Sequence, residues 1–348
     1  MLLRAAALAT SLSALLLAAA PAAHAQGVIN LYSARHYSTD ESLYSDFTKA
    51  TGIQIRRVDA DDAGIIARLK AEGSASPADV ILLVDAARLW RGEQDGLFLP
   101  IRSKALDEAI PPNLRAAPAA DGGVAWFGFS TRARVIVYDK IKVKREDVDT
   151  YEKLGDPRNK GRLCIRSGSH PYNLSLFSAV NAHLGPEKTE AWLKGMVANM
   201  ARAPKGGDTD QIRAVASGEC EIAVTNSYYL ARMMRSGNPD DRAVTERVGV
   251  VFPDQASWGT HVNVAGGAVA RHSKNVDGAT RFLEYLASPA AQNYFANGNN
   301  EWPAVPTVAI SNPALDSLGK FRSDDLNVGL LSKTTAEAQK IYDRAGYR

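Results

Sequence analysis

Val28-Ile-Asn-Leu-Tyr32, Gly52-Ile-Gln-Ile-Arg-Arg-Val58 and Ala78-Asp-Val-Ile-Leu-Leu-Val84 are three short runs separated by two helical patterns, over residues 40–50 and 63–72. Gly52 and Gly73 stop the two helices. The first and third runs are almost continuously apolar and the second alternates, as strands do. Strand and helix alternating at this spacing predict a parallel α/β layer. Uninterrupted apolar strands need cover on both faces of the sheet.

Further along the chain, Val124-Ala-Trp-Phe-Gly-Phe129 and Ala133-Arg-Val-Ile-Val-Tyr138 predict two extended segments on either side of Ser130-Thr131-Arg132. A second α/β layer follows. Its strands are predicted at 161–166 and 219–225, with helices at 174–184, 188–200 and 208–217. The segments 248–252 and 260–266 are extended, 275–297 is helical with a break at Ser288-Pro289, and 314–347 is mostly helical. Two layers joined by extended crossings, without a flexible linker, predict lobes connected through hinge strands and able to close on a ligand. The crossings are expected near 127–131, 258–263 and 302–306.

At the N-terminus, Arg4, a run of Ala and Leu over 5–20 and Ala23-His24-Ala25 make the three parts of a secretory signal peptide, expected to cover residues 1–25. The run is short and alanine-rich for a membrane span. The mature protein is therefore expected to be exported. The chain carries 41 basic and 38 acidic side chains, a net charge of +3, and losing Arg4 would leave +2. So small and evenly mixed a charge argues against nucleic acid as partner, and no Lys/Arg run marks a membrane-binding patch. Cys164 and Cys220 are the two cysteines. In an oxidising compartment they are a disulfide candidate, the alternative being two buried thiols.

Enzyme motifs are missing. There is no GxSxG elbow, no GxxxxGK[ST] phosphate loop, no GxGxxG turn and no pair of histidines at i, i+4. The tyrosines carry more information. Tyr37 follows the first strand, in Tyr32-Ser-Ala-Arg-His-Tyr-Ser-Thr-Asp40. Tyr172 follows a strand of the second layer, and Tyr228 and Tyr229 stand in Thr225-Asn-Ser-Tyr-Tyr-Leu230 at another strand-to-helix junction. Open α/β sheets bind ligands outside the carboxyl ends of their strands, where all four lie. Taken singly, each is also what a ring packed at a domain edge looks like.

Together and in order, Tyr32–Tyr37, Ser130–Tyr138, Ser169–Asn173, Asn226–Tyr229, Gly259–Gly266, Glu284–Gln292 and Asn300–Pro303 resemble the bacterial periplasmic ferric-iron-binding proteins of ABC transporters, the transferrin-like family. The likeness runs along essentially the whole mature chain. It implies an α/β, two-lobed periplasmic-binding-protein fold of type II, with hinge strands and a central cleft. Lobe 1 is expected to comprise 26–128 plus 262–304, and lobe 2 129–261 plus 305–348. It also implies Fe³⁺ bound by Tyr37 from the first lobe and by Tyr172, Tyr228 and Tyr229 from the second. His36 matches a histidine that ligates iron in some members and only lines the site in others. Arg132 matches an arginine that hydrogen-bonds a ligand phenolate or an anion; a hinge salt bridge is the alternative. Some members complete the sphere with carbonate or another anion. Pro171, immediately before Tyr172, departs from the pattern and biases His170 toward extended backbone.

The chemistry of the residues agrees with this resemblance. Ferric iron is small and hard, and a phenolate is a hard anionic oxygen donor. The cation itself favours the charged form of a phenol, so binding is expected to release protons and weaken in acid. The expected role is a monomeric periplasmic carrier that delivers Fe³⁺ to an inner-membrane ABC permease, without catalytic turnover. The competing readings are a binding protein for another anion or small organic solute, with 167–170 as its anion site, and a secreted metalloenzyme using the same tyrosines.

Overall fold

The computed structural model describes residues 27–347 except 36, 38 and 169. The expected signal peptide and His36 therefore lie outside the described residues. β1 (Val28–Ser33), α1 (Asp40–Thr51), β2 (Gln54–Asp59), α2 (Asp62–Glu72) and β3 (Val80–Leu83) follow the alternation read from the sequence. β1 lies between β2 and β3 and is parallel to both. Helix α1 ends where Gly52 takes φ 73°, and the Gly52 N–H then bonds the Thr48 carbonyl. That left-handed conformation suits glycine, which has no Cβ to clash. All four residues of β3 are buried, as its continuous apolar pattern requires.

Three short elements not anticipated from the sequence come next: α3 (Ala86–Gln94), β4 (Phe98–Leu99) and α4 (Lys104–Ala109). Asp85 starts α3 by accepting the N–H groups of Ala87 and Arg88, which otherwise lack partners within the helix. β5 then runs unbroken from Phe127 to Asp139. The two extended segments predicted around Ser130-Thr131-Arg132 are thus one strand. The polar triplet interrupts the apolar pattern but not the strand: it pairs with β9 in regular register, and the one register shift lies just before it, between Gly128 and Ser130.

The second layer holds β6 (Leu163–Cys164), α5 (Pro171–Leu184), α6 (Pro186–Asn199), α7 (Asp208–Ser217), β7 (Ile222–Asn226), α8 (Ser227–Met234), α9 (Pro239–Arg247) and β8 (Val248–Val251). The chain returns through β9 (Val262–Ala270), α10 (Val276–Leu286), α11 (Pro289–Asn299) and β10 (Trp302–Pro303), and ends with α12 (Pro313–Leu318) and α13 (Leu331–Arg344). Ser288-Pro289 separates α10 from α11 as expected: Ser288 caps α11 and Pro289 is its first residue.

The strand order is β2-β1-β3-β9-β5-β7-β6. β5 is shared between the layers. From Phe127 to Ala133 it pairs with β9, and from Arg134 onward with β7 and β8. Near the middle of β5, β10 pairs with Ser130 and Thr131. β5 and β9 approach so closely that a Cβ on Gly266 would lie 2.5 Å from the Phe127 carbonyl oxygen. The apolar side chains divide accordingly. One cluster, with Leu31, Phe47, Leu82, Trp126 and Phe282, lies on one side of the crossing strands. Two more, around Phe177 and Leu193 and around Val135 and Ile212, lie on the other. The tail spans both: Val328 and Leu331 join the first cluster, and Ala338, Ile341 and Tyr347 the second. A Cys164–Cys220 disulfide, Cα–Cα 5.9 Å, ties β6 to the turn before β7. Among the described residues, no helix is long and apolar enough to cross a membrane.

Candidate metal centre

Each tyrosine singled out from the sequence stands in a turn or helix start that follows a strand. Tyr37 is in the turn between β1 and α1, where its carbonyl accepts the Asp40 N–H at 3.0 Å. Tyr172 is the second residue of α5. Pro171 fills the first helical position, where no N–H is needed, and His170 before it is extended, with φ −70° and ψ 134°. Tyr228 and Tyr229 are the second and third residues of α8, directly after β7.

The structure brings these rings together. The Tyr172 and Tyr228 hydroxyls are 3.3 Å apart. The Tyr37 ring meets the Tyr228 ring edge-on at 6.1 Å. Tyr228 and Tyr229 stack at 4.2 Å. Adjacent helical residues ordinarily point about 100° apart; here the two rings lie alongside each other. Tyr228 is wholly buried, while Tyr37 and Tyr229 keep part of their surface exposed.

A buried polar network behind the rings sets the spacing of the two helix starts. The Arg134 guanidinium donates to Asp208 at 2.6 Å, to Asn173 at 2.6 Å and to Asn226 at 3.2 Å. Asp208 also accepts the Asn226 N–H at 2.7 Å. Asn173 is the neighbour of Tyr172, and Asn226 is the residue before α8. One guanidinium and one carboxylate thereby fix Tyr172 relative to Tyr228. In the sequence, Arg134 is only one member of a motif, with no role of its own.

Four further charged groups surround the rings. Arg132, on β5, is 1% exposed, and none of its three nitrogens has a hydrogen-bond partner among the described residues. Its Cζ is 5.7 Å from the centre of the Tyr172 ring, and Nη1 is 3.7 Å from Glu301 Oε1, an ion pair without a hydrogen bond. Glu301, part of the Asn300–Pro303 motif but given no role of its own in the sequence, accepts the Tyr37 hydroxyl at 2.9 Å and the Ser130 hydroxyl at 2.6 Å. Arg35 pairs with Asp40 at 2.6 Å and stands over the Tyr37 ring at 5.1 Å. Arg232, on α8, has its Cζ within 5.8 Å of the rings of Tyr37, Tyr228 and Tyr229. A cleft of about 860 Å³ opens beside the rings, lined by Tyr37, Tyr172 and Tyr229 and also by Asp61, Asp62 and Arg88.

Burial pushes the Tyr37 phenol well above its ordinary range, with the Glu301 carboxylate adding to the effect. Burial does the same to Tyr228, with its neighbouring phenols next. Burial lifts Tyr172 to about 12, against the opposing pull of Arg132. For Arg132, burial favours the neutral form, but Glu301 and the three nearby phenols outweigh it and hold the guanidinium charged. His170 is pushed down to about 3 by burial and by Arg166. Among the described residues no group of three or more His, Cys, Asp or Glu is placed to hold a metal. The donors gathered here are phenolic.

The whole chain has recognisable relatives. Residues 42–318 match the family model described as bacterial extracellular solute-binding protein. This chain belongs to that family. Iron uptake protein A1 of Synechocystis sp. is 46% identical over 93% of this chain and 88% of its own length. The structure of Trichodesmium FutA (IdiA) in complex with iron and citrate ligands is 48% identical, covers 92% of this chain and 100% of that one, and superposes with a TM-score of 0.87. The ferric binding protein of Campylobacter jejuni is 38% identical, with 92% and 100% coverage and a TM-score of 0.85. The fold is accordingly the two-lobed type II periplasmic-binding fold. The family's members bind solutes outside the cytoplasm, and these three relatives are iron-uptake or ferric-binding proteins. Among the described side chains, then, the four tyrosines and Arg132 gathered beside this cleft are the ones the sequence singles out. It gives no role to Arg35 or Arg232, which stand near the tyrosines in the chain, or to Glu301, which reaches Tyr37 across 264 residues.

Proposed function

We propose that this protein is a periplasmic carrier that captures Fe³⁺ between its lobes and delivers it to an ABC transporter permease in the inner membrane. Tyr37, Tyr172, Tyr228 and Tyr229 serve as phenolate ligands, and His36, next to Tyr37 in sequence, is the candidate fifth. The observation that carries this reading is the convergence of four tyrosines from three separate segments beside the cleft. Ferric iron and phenolate suit each other as a hard cation and a hard anionic oxygen. Arg132 favours the reading too. A buried cation facing the rings supports the negative charge that phenolates bring, and it would pair with carbonate or another anion completing the sphere. The cation holds Tyr37 and the second-lobe tyrosines together only when the cleft is shut, so iron stabilises the closed state by differential affinity. That closed state is what a permease docking on both lobes would recognise. Iron is cargo, and no turnover is involved.

A second reading, a carrier of an anionic or small organic solute, draws on the guanidinium groups at and beside the cleft, among them Arg88, Arg35 and Arg132. The discriminating experiment is a visible absorption titration of the apoprotein with a weakly chelated ferric salt. Phenolate bound to Fe³⁺ gives a charge-transfer band that carboxylates and imidazoles do not. A saturable one-to-one coloured complex, bleached by dithionite, is the expected result. Absence of colour together with no thermal stabilisation by iron would move the ligand to the second reading.

A further inference from the structure

Glu301 stands among the site groups without being one of the phenols. It is 1% exposed. The backbone delivers it there by a strained step. Asn300, the C-cap of α11, takes φ 59° and ψ 37°, a left-handed conformation uncommon outside glycine. Asn300 is held there by its side-chain oxygen, which accepts from Arg235 at 2.8 Å and from Asn312 at 3.1 Å. Trp302 and Pro303 immediately pair with Thr131 and Ser130 of β5. The side chain of Glu301 is thus fixed between the hinge strand and the turn that carries Tyr37. Oε1 accepts from the Tyr37 hydroxyl and is 3.7 Å from Arg132 Nη1. Oε2 accepts from Ser130 and is 3.8 Å from Arg35 Nη1.

We infer that Glu301 is a positioning residue for the metal site: it aims the Tyr37 phenol into the cleft and supplies the negative charge that keeps Arg35 and Arg132 from opposing a trivalent cation. This rests on the ferric reading above. The charges require such a group. Arg35 has Asp40 as a close partner, but among the described residues the only carboxylate paired with Arg132 is Glu301. Without Glu301 only the nearby phenols would offset the buried Arg132 guanidinium, and less of its charge would be balanced as the phenolates are taken up by Fe³⁺. The hydrogen bonding requires it as well. When Tyr37 binds the metal, its O–H bond breaks as the Fe–O bond forms, and the proton leaves to water through the cleft. The hydroxyl can then no longer donate to Glu301. Oε1 becomes available to Arg132, whose nitrogens have no hydrogen-bond partner among the described residues. One carboxylate therefore orients the ligand before binding and neutralises the arginine afterwards. Because Glu301 lies next to β10 on the hinge, this exchange of partners links iron occupancy to the crossing strands.

The test uses the full mature protein and two variants, Glu301→Gln and Glu301→Ala, titrated with ferric iron against a competing chelator while the visible band is recorded. The Gln variant keeps an oxygen that can accept from Tyr37 and loses the charge, while its amide NH2 replaces the oxygen that accepts from Ser130, whose hydroxyl can turn to accept instead. It should bind Fe³⁺ at least about tenfold more weakly, with the band position retained. The Ala variant should bind more weakly still, with a shifted or weakened band, because the Tyr37 ring is no longer aimed. A structural role alone would not separate affinity from band position in this way. Should Glu301→Ala fail to fold, the isosteric Gln variant still decides the matter. Wild-type colour with Glu301→Gln affinity within twofold of wild type overturns the role of Glu301 and leaves the ferric reading standing. A wild-type protein that gives no coloured complex overturns both.

Discussion

Acid should weaken ferric binding steeply, with a slope that counts the ligating phenols. Tyr172 has its phenol pushed up to about 12, chiefly by burial. Holding it as phenolate at about pH 7.5 costs about 6 kcal/mol, at about 1.4 kcal/mol per pK unit, and the metal–oxygen bond must exceed that cost. Tyr37 and Tyr228 are pushed the same way, again chiefly by burial, so their ionisation must also be driven by the metal. The sign follows from linkage: the iron-bound state carries fewer protons than the metal-free state, so affinity rises with pH and falls with acid. Every ligating phenol contributes a factor of about ten per pH unit, so four phenols give up to about 10⁴-fold per unit. The assay is competition against a ferric chelator of known pH dependence, between about pH 6 and 8, with the phenolate band reporting occupancy. Replacing Tyr228 with Phe removes one ionisable ligand and should lower the slope by about one proton per iron. Tyr228 is fully buried, and its hydroxyl is 3.3 Å from that of Tyr172, so the loss to folding should be of the order of one hydrogen bond, about 1 kcal/mol. Release of fewer than about two protons per iron, or an unchanged slope in Tyr228→Phe, would refute phenolate ligation by these tyrosines.

Three further predictions concern the scaffold. The Cys164–Cys220 bridge spans 56 residues, so replacing both cysteines with serine should cost about 4 kcal/mol in denaturant melts from the loop-closure relation; a loss under about 1 kcal/mol would contradict a constraining role. His261 is 3% exposed and is pushed from 6.5 down to about 3, first by burial and then by Arg134, His183 and Arg132. A depressed histidine contributes stability that is present above 6.5 and lost as pH falls toward 3, so this residue alone should remove about 2 kcal/mol by about pH 5, and His261→Gln should flatten that part of the pH–stability curve. Asp62 moves the other way. Burial raises it to about 6, so its stabilising effect is present below its ordinary value of 3.8 and lost as pH rises through 6. Asp62→Asn keeps an acceptor for the Val84 N–H, which bonds Oδ1 at 2.9 Å, and should gain up to about 3 kcal/mol in thermal melts near pH 7.5, with little gain near pH 4.

Much of the fold is legible because local pattern and tertiary role coincide. β1, β2 and β3 are short apolar or alternating runs, and the helices between them end at the expected glycines. Where pattern and role part, the reading fails. β5 reads as two pieces because Ser130 and Arg132 are polar, yet both are buried where the strand crosses between lobes. Helix α9 escapes the reading because it has no buried residue and hence no apolar stripe. The predicted helical tail over 314–347 is two helices, α12 and α13, with residues 319–327 between them outside any helix.

The candidate site divides in the same way. The sequence alone singled out the tyrosines as candidate ligands of a hard cation, because residue type and position at strand ends are local facts. Residue type and order also carried the family likeness. What faces those tyrosines was decided by tertiary structure. Tyr37 and Glu301 are 264 residues apart, and no local period relates them. They meet because β10 pairs with the middle of β5 while β1 lies in the same ten-stranded sheet. The family likeness marks Arg132 as a residue near the site, but its partner, Glu301, appears only when folding buries the guanidinium against that carboxylate. Burial and the approach of distant segments set the charge balance around the rings, and both depend on the completed fold.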